Sequence, residues 1–221
     1  MPSDIKTLNL NMFSTWIKKI ELLSIILDKK AVTRQGYYDD ELPLIKNFCK
    51  QNKLYLVKSE FKIKTIEDNY SEKGIAVSKK EEGAMTFLYI SKDELLAYKA
   101  SYFDITHDHE NLGILLGYPK CCRTFFKENY EERSKLDNNY EVPMLNNSKK
   151  TNYIFYNNIF KRDSGITLLS HFPCYLDCNE SQKIAKSNMS ILNQFFPKTA
   201  KHFSTVLRTN FKAHERIIKF H

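Results

Sequence analysis

Residues 54–66, LYLVKSEFKIKTI, alternate apolar and polar side chains along most of their length. Because successive side chains of a β-strand point to opposite faces, this alternation predicts a strand with one buried face. Two shorter β-rich runs follow, GIAVSKK from Gly74 and MTFLYISK from Met85. Glycine and glutamate residues between the runs are typical of turns. Together the three runs predict a small antiparallel meander.

Helices are predicted on both sides of this sheet. Upstream, apolar residues recur every three or four positions over 12–28, and a second helix is expected over 39–51. Downstream, Ser91 with Glu94 three positions later forms a capping box, which predicts that a helix begins there. The predicted fold class is therefore α+β, with N-terminal helices and a small antiparallel sheet in region 1–104.

A second region, 105–221, contains four of the five cysteines. The apolar run GITLLSHFPC, 165–174, predicts a buried strand, and helices are expected over 120–133 and 179–196. The Asn-rich stretch 134–150 is expected to be a surface loop. The two regions are expected to form one compact domain.

Composition limits the kind of protein and its partners. The chain has 221 residues, of which 42% are hydrophobic, which is enough for a sizeable core. No apolar run of 18 residues and no signal peptide is recognisable, so we expect a cytoplasmic protein with no membrane partner. The formal charge of +8 favours an acidic partner. Zinc-finger spacing, ribonucleoprotein motifs and phosphate-binding glycine loops are missing, so that partner is not expected to be nucleic acid.

The stretch LGYPKCCRTFF, 116–126, places two adjacent cysteines at the start of a predicted helix. Pro119 favours the first helical position, which would put Cys121 and Cys122 in the first turn. Free backbone N–H groups and the helix dipole there favour a thiolate, as do the flanking residues Lys120 and Arg123. The pattern is typical of a nucleophilic cysteine.

Such a nucleophile needs a base, and His171 is the candidate. It follows the predicted strand about fifty residues downstream, and Asp177 is the candidate group to orient its ring. Cys122 is favoured slightly as the attacking thiol, because it shares a helical face with Phe125 and would point inward. Cys121 lies nearer the free N–H groups, so both remain candidates. The alternative is that these cysteines and His171 only fill the core.

The segment HFPCYLDC suggests another use for the thiols. Cys174 and Cys178, together with Cys121 and Cys122, provide four cysteines that could bind zinc or an iron–sulfur cluster. A redox function, in which one thiol resolves its neighbour, is a third possibility.

The motifs GYPKCC and HFPCYLDC resemble a family of domains of unknown function that carries GYPxCC followed by HxPCxxxC, over about 112–196 of this chain. More distantly, the order of cysteine and histidine resembles papain-type proteases and transglutaminases. Proteins of that type form amides in peptide natural-product pathways, including thioamide assembly. The resemblance implies a papain-like second half in which a cysteine helix packs against strands. It also implies Cys121 or Cys122 as nucleophile, His171 as base and Asp177 as orienting acid.

The sequence thus leads to two functional hypotheses. In the first, the protein is an acyltransferase that takes an acyl group onto a cysteine as a thioester and passes it to an amine, without a cofactor. The donor could be an acidic carrier protein, which the basic chain would attract. In the second, the protein binds zinc or an iron–sulfur cluster through Cys121, Cys122, Cys174 and Cys178.

Overall fold

The computed structural model describes residues 15–65, 74–136, 138–148 and 155–209. Its α+β architecture confirms the predicted fold class. The chain divides into two compact units, Met1–Asn139 and Tyr140–His221. No helix in the described ranges is long and apolar enough to cross a membrane.

The first unit contains five helices and four strands in its described part. They are α1 (Trp16–Ile26), β1 (Val32–Tyr37), α2 (Leu42–Gln51), β2 (Tyr55–Thr65), β3 (Gly74–Val77), β4 (Met85–Ser91), α3 (Glu94–Ile105), α4 (His109–Leu115) and α5 (Lys120–Lys135). The predicted helices and the three predicted strands of this region are therefore confirmed, with shifted ends. Strand β1 was not predicted.

The four strands form one antiparallel sheet in the order β1-β4-β2-β3. The predicted meander is wrong in one respect, because β4 pairs with β2 and not with its neighbour in sequence, β3. Strand β2 is eleven residues long, so it can pair with β3 through its second half and with β4 along most of its length. Strand β1 then adds to the free side of β4.

Helices α3 and α4 cover one face of this sheet. Val32 of β1 and Tyr89 of β4 pack there with Ala100, Leu112 and Leu116 in a buried cluster. Asp93 caps α3 because its side chain accepts hydrogen bonds from the backbone N–H groups of Leu95 and Leu96, at 2.8 and 3.3 Å. The predicted cap at Ser91 is therefore wrong, because the strand continues through that residue.

The second unit is helical in its described part. It contains α6 (Glu141–Asn147), α7 (Asn179–Phe195) and α8 (Pro197–Leu207), with single 3-10 turns at Phe155–Asn157 and Arg162–Ser164. The predicted helix over 179–196 is confirmed.

Two predictions for this unit are wrong. Residues 165–174 form no strand, although Leu168 and Leu169 are buried, because side-chain hydrogen bonds rather than a neighbouring strand satisfy part of this backbone. No strand of the described part lies beyond Ser91. The Asn-rich stretch is not wholly a loop either, since it contains α6 with Met144 fully buried.

Candidate metal centre

Cys121 and Cys122 lie in the first turn of α5, as predicted. Gly117 adopts a left-handed conformation with φ of 71° that ends the preceding helix, and Pro119 is the N-cap rather than the first helical residue. The carbonyl oxygen of Pro119 accepts hydrogen bonds from the N–H groups of Cys122 and Arg123, both at 3.0 Å. Backbone hydrogen bonds therefore close this first turn of the helix.

The two adjacent thiols differ in exposure. Cys122 is 2% exposed and lies one turn before the equally buried Phe125, whereas Cys121 is exposed. Their Sγ atoms are 3.9 Å apart. Both sulfurs can therefore contact the same small ion, with Cys122 on the buried side of it and Cys121 on the less buried side.

Arg123 adds a fixed positive charge beside this turn. Its Nε donates to Glu110 at 3.0 Å, and its Nη1 donates to the carbonyl oxygen of Tyr118. Gly113 makes room for this arrangement, since a Cβ atom there would lie 2.6 Å from Cδ of Arg123.

Cys174 and Cys178 flank a tight turn in the second unit, and both are buried. The N–H group of Cys178 donates to the carbonyl oxygen of Tyr175 at 3.1 Å. Cys178 is also the N-cap of α7, a helix of 17 residues. A third thiol thus lies at the positive end of a helix dipole.

Side-chain hydrogen bonds from neighbouring residues stabilise this turn. Asn157, fully buried, donates through Nδ2 to the carbonyl oxygens of Leu176 and Cys178, at 3.0 and 2.9 Å. Asn147 donates to the carbonyl oxygen of Cys174 at 3.3 Å, and the Ser148 hydroxyl accepts from the Leu176 N–H at 2.8 Å. These supporting residues were not predicted. The pair of asparagines in the otherwise apolar run YIFYNNIF could have indicated them, because a buried amide needs hydrogen-bond partners.

The decisive observation is the gathering of sulfurs. The Sγ atoms of Cys121, Cys122, Cys174 and Cys178 all lie within 4.8 Å of one another. Zinc bound tetrahedrally at about 2.3 Å from each sulfur would separate the sulfurs by roughly 3.8 Å. The observed group is therefore only slightly wider than the coordination shell of a single ion.

His171 is buried, and its Nε2 lies 2.9 Å from the hydroxyl oxygen of Ser181 in the first turn of α7. It lies in irregular chain rather than at the end of a strand. Asp177 forms no hydrogen bond or ion pair with any residue in the described part of the chain. The roles of His171 as a catalytic base and of Asp177 as its orienting group stay predictions.

Cys49, the fifth cysteine, provides a contrast within the same chain. It is buried in α2, and desolvation raises the pKa of its thiol to about 12. An isolated buried thiol of this kind remains protonated and inert at neutral pH.

No family model, curated protein or solved structure matches this chain. The resemblance to GYPxCC-containing domains and to papain-type enzymes therefore stays a prediction. The function has to be inferred from the geometry of the four cysteines.

Proposed function

We propose that this chain is a zinc-binding protein whose ion is held by Cys121, Cys122, Cys174 and Cys178. The observation that supports the proposal is that the four Sγ atoms lie within 4.8 Å of one another. Four thiolates from the protein complete a tetrahedral shell, which is the arrangement of zinc sites that stabilise a fold. The proposed role of the ion is accordingly structural.

The spacing of the sulfurs favours one ion over a cluster. In an iron–sulfur cluster several iron atoms and sulfides stand between the protein ligands, so the cysteine sulfurs lie further apart than around one ion. Here all four sulfurs lie within 4.8 Å of one another, which leaves no room for a second metal ion and sulfides between them. Among single ions, tetrahedral coordination by four thiolates suits zinc and iron, and zinc needs no redox partner.

Charge also supports the proposal. Four thiolates and one Zn²⁺ carry a net charge of −2, which needs compensation where it is partly buried. The first turn of α5 contributes its dipole and the Arg123 guanidinium, and the N-cap of α7 contributes a second dipole. These groups stabilise the metal-bound, deprotonated form of the cysteines.

The test is a metal analysis of purified protein and of two variants. We expect about one zinc per chain after purification or reconstitution, and no visible iron absorption. Cys174→Ser should bind zinc more weakly and unfold at lower temperature, whereas Cys49→Ser, which changes a similarly buried thiol outside the group, should keep the wild-type affinity. A chelator should lower the unfolding temperature of the wild type and of Cys49→Ser more than that of Cys174→Ser.

Two results would contradict the proposal. One is a protein that stays metal-free after reconstitution under reducing conditions and is indifferent to chelator. The other is a Cys174→Ser variant that binds zinc as tightly as wild type. Iron at several atoms per chain with acid-labile sulfide would replace the zinc site by a cluster.

Acyl transfer through a thioester is the competing proposal for the same cysteines. Its attacking thiol would be Cys121, because Cys122 is only 2% exposed and a carrier-bound thioester has to reach the sulfur. Incubating metal-free protein with a small acyl thioester tests it. A stable acyl adduct on Cys121 that an added amine releases as an amide would favour the enzyme over the structural metal site.

A further inference from the structure

The four sulfurs of the proposed zinc site are not equally accessible. Cys122, Cys174 and Cys178 are 2%, 5% and 1% exposed, whereas Cys121 is the least buried of the four. A zinc site with a purely structural role is best served by four shielded ligands, since an accessible thiolate can be modified. This asymmetry separates the ligands chemically as well as structurally.

Metal binding keeps an accessible thiolate in its nucleophilic form. A thiol that coordinates a metal ion is deprotonated outright, so its reactivity no longer depends on an ordinary thiol pKa. In the zinc-loaded protein Cys121 is therefore the most accessible of the four metal-bound thiolates.

The three buried ligands can retain the ion when the fourth is lost. Cys174 and Cys178 are held by the turn that Asn157 and Asn147 support, and Cys122 is fixed in the closed first turn of α5. Oxidation to a Cys121–Cys122 disulfide is disfavoured, because adjacent Cα atoms are about 3.8 Å apart, below the usual range of roughly 4.4–6.8 Å. This argues against the redox use of the pair.

Resting on the zinc site proposed above, we propose that Cys121 is a modification site for soft carbon electrophiles that carry a leaving group, such as alkyl halides. Cys121 Sγ attacks the electrophilic carbon, a C–S bond forms, and the carbon–leaving-group bond breaks. The leaving group departs with the bonding electron pair, and no oxidant or proton donor is needed. The product is a thioether at Cys121, a weak ligand, with zinc retained by Cys122, Cys174 and Cys178.

The experiment treats zinc-loaded full-length protein with substoichiometric iodoacetamide at neutral pH. Peptide mapping gives the rate at each cysteine, and native mass spectrometry gives the zinc content of the singly alkylated protein. We expect alkylation at Cys121 at least about tenfold faster than at any other cysteine, and one zinc in the alkylated species. Cys49 serves as an internal control, because its protonated buried thiol should not react.

Each outcome bears on the proposal. Zinc-loaded protein in which Cys121 is protected, or reacts no faster than Cys174 and Cys178, overturns this inference and leaves the zinc site standing. Loss of zinc on the first alkylation overturns the retention by three ligands. Protein that takes up no zinc removes the basis of both proposals. Cys121→Ser provides a check: it should abolish the fast phase while the remaining thiols keep their slow rates.

Discussion

The side chain of Asn157 and the backbone of Cys178 are directly joined: Nδ2 of the buried amide lies 2.9 Å from the carbonyl oxygen of the cysteine. The same amide also bonds the carbonyl oxygen of Leu176. Asn157 thus helps to hold the turn between Cys174 and Cys178. A turn held by side-chain hydrogen bonds loses less conformational freedom when its cysteines bind a metal ion, which favours affinity.

Asn157→Ala is therefore expected to weaken zinc binding by about 10–100-fold, the usual effect of removing a group that orients a metal ligand. Competition with a chromophoric chelator measures the affinity. Asn158→Ala is the matched control, because Asn158 is equally buried and donates to the carbonyl oxygen of Leu207 at 2.9 Å, away from the cysteine turn. It should lower thermal stability with unchanged zinc affinity. Equal losses of affinity in both variants would show a general structural effect instead.

His109 predicts how stability depends on pH. Burial lowers the pKa of this imidazole, and His107 lowers it further, against the opposing effect of Asp104. Its ring packs 4.3 Å from that of Tyr130, and its Nε2 is buried with no hydrogen-bond partner in the described part of the chain. The unfolded chain therefore binds the proton first as the pH falls.

Stability should consequently fall as the pH drops below about 6.5, the pKa of the unfolded state, and level off below the lower folded-state pKa. Urea unfolding between pH 8 and pH 5 measures this. His109→Phe should flatten the dependence over that interval, because the phenyl ring packs with Phe126 and Tyr130 without a proton to take up. His202→Gln, a change at an exposed ring in α8, serves as the control. An unchanged slope in His109→Phe would assign the pH dependence to other groups.

The close approach of Gly113 and Arg123 predicts that Gly113→Ala destabilises the wild-type protein but stabilises an Arg123→Ala variant. In wild type, Gly113→Ala should destabilise the fold by about 1–2 kcal/mol. The new Cβ displaces the Arg123 side chain, whose guanidinium is held by hydrogen bonds to Glu110 and to the Tyr118 carbonyl oxygen. In an Arg123→Ala background the same change should stabilise by up to about 1 kcal/mol, the preference of a helix for alanine over glycine. A double-mutant cycle by chemical denaturation checks the coupling; additive effects would contradict it.

Asp104 predicts the cost of breaking a buried charge network. Its carboxylate accepts from Arg34 Nε at 2.7 Å and from the Tyr89 hydroxyl, beneath α3. Asp104→Asn should destabilise the protein by about 3 kcal/mol, because Arg34 loses its counter-charge. Asp28→Asn breaks the exposed pair with Lys92 and should cost under about 1 kcal/mol. Similar losses in urea titrations of the two variants would contradict this account.

Several features of the fold were predictable from local sequence. The alternation over 54–66 correctly indicated β2, and the helical spacing over 179–196 correctly indicated α7, because each pattern follows from the period of the element itself. The placement of Cys121 and Cys122 in a first helical turn was also predictable, because the Gly-Tyr-Pro segment ends one helix and opens the next.

Other features depended on partners distant in sequence. Leu168 and Leu169 lie in a run with high β-propensity, yet the described part of the second unit contains no strand, and Asn188 donates to the Leu168 carbonyl oxygen instead. Lys18 of α1 is buried because Glu41, 23 positions away at the start of α2, pairs with it at 2.9 Å. The local structure and burial of such residues depend on contacts with residues that are distant in the sequence.

By itself the sequence determined which residue types can do chemistry here: two pairs of cysteines, each at the start of a helix, because capping and helix-opening signals are local. Only the tertiary structure decided which of them meet. It brought the four Sγ atoms within 4.8 Å of one another, placed the Ser181 hydroxyl beside the His171 ring, and left Cys121 the least buried of the four cysteines. Distances between residues fifty positions apart depend on long-range packing, which no local pattern of side chains encodes.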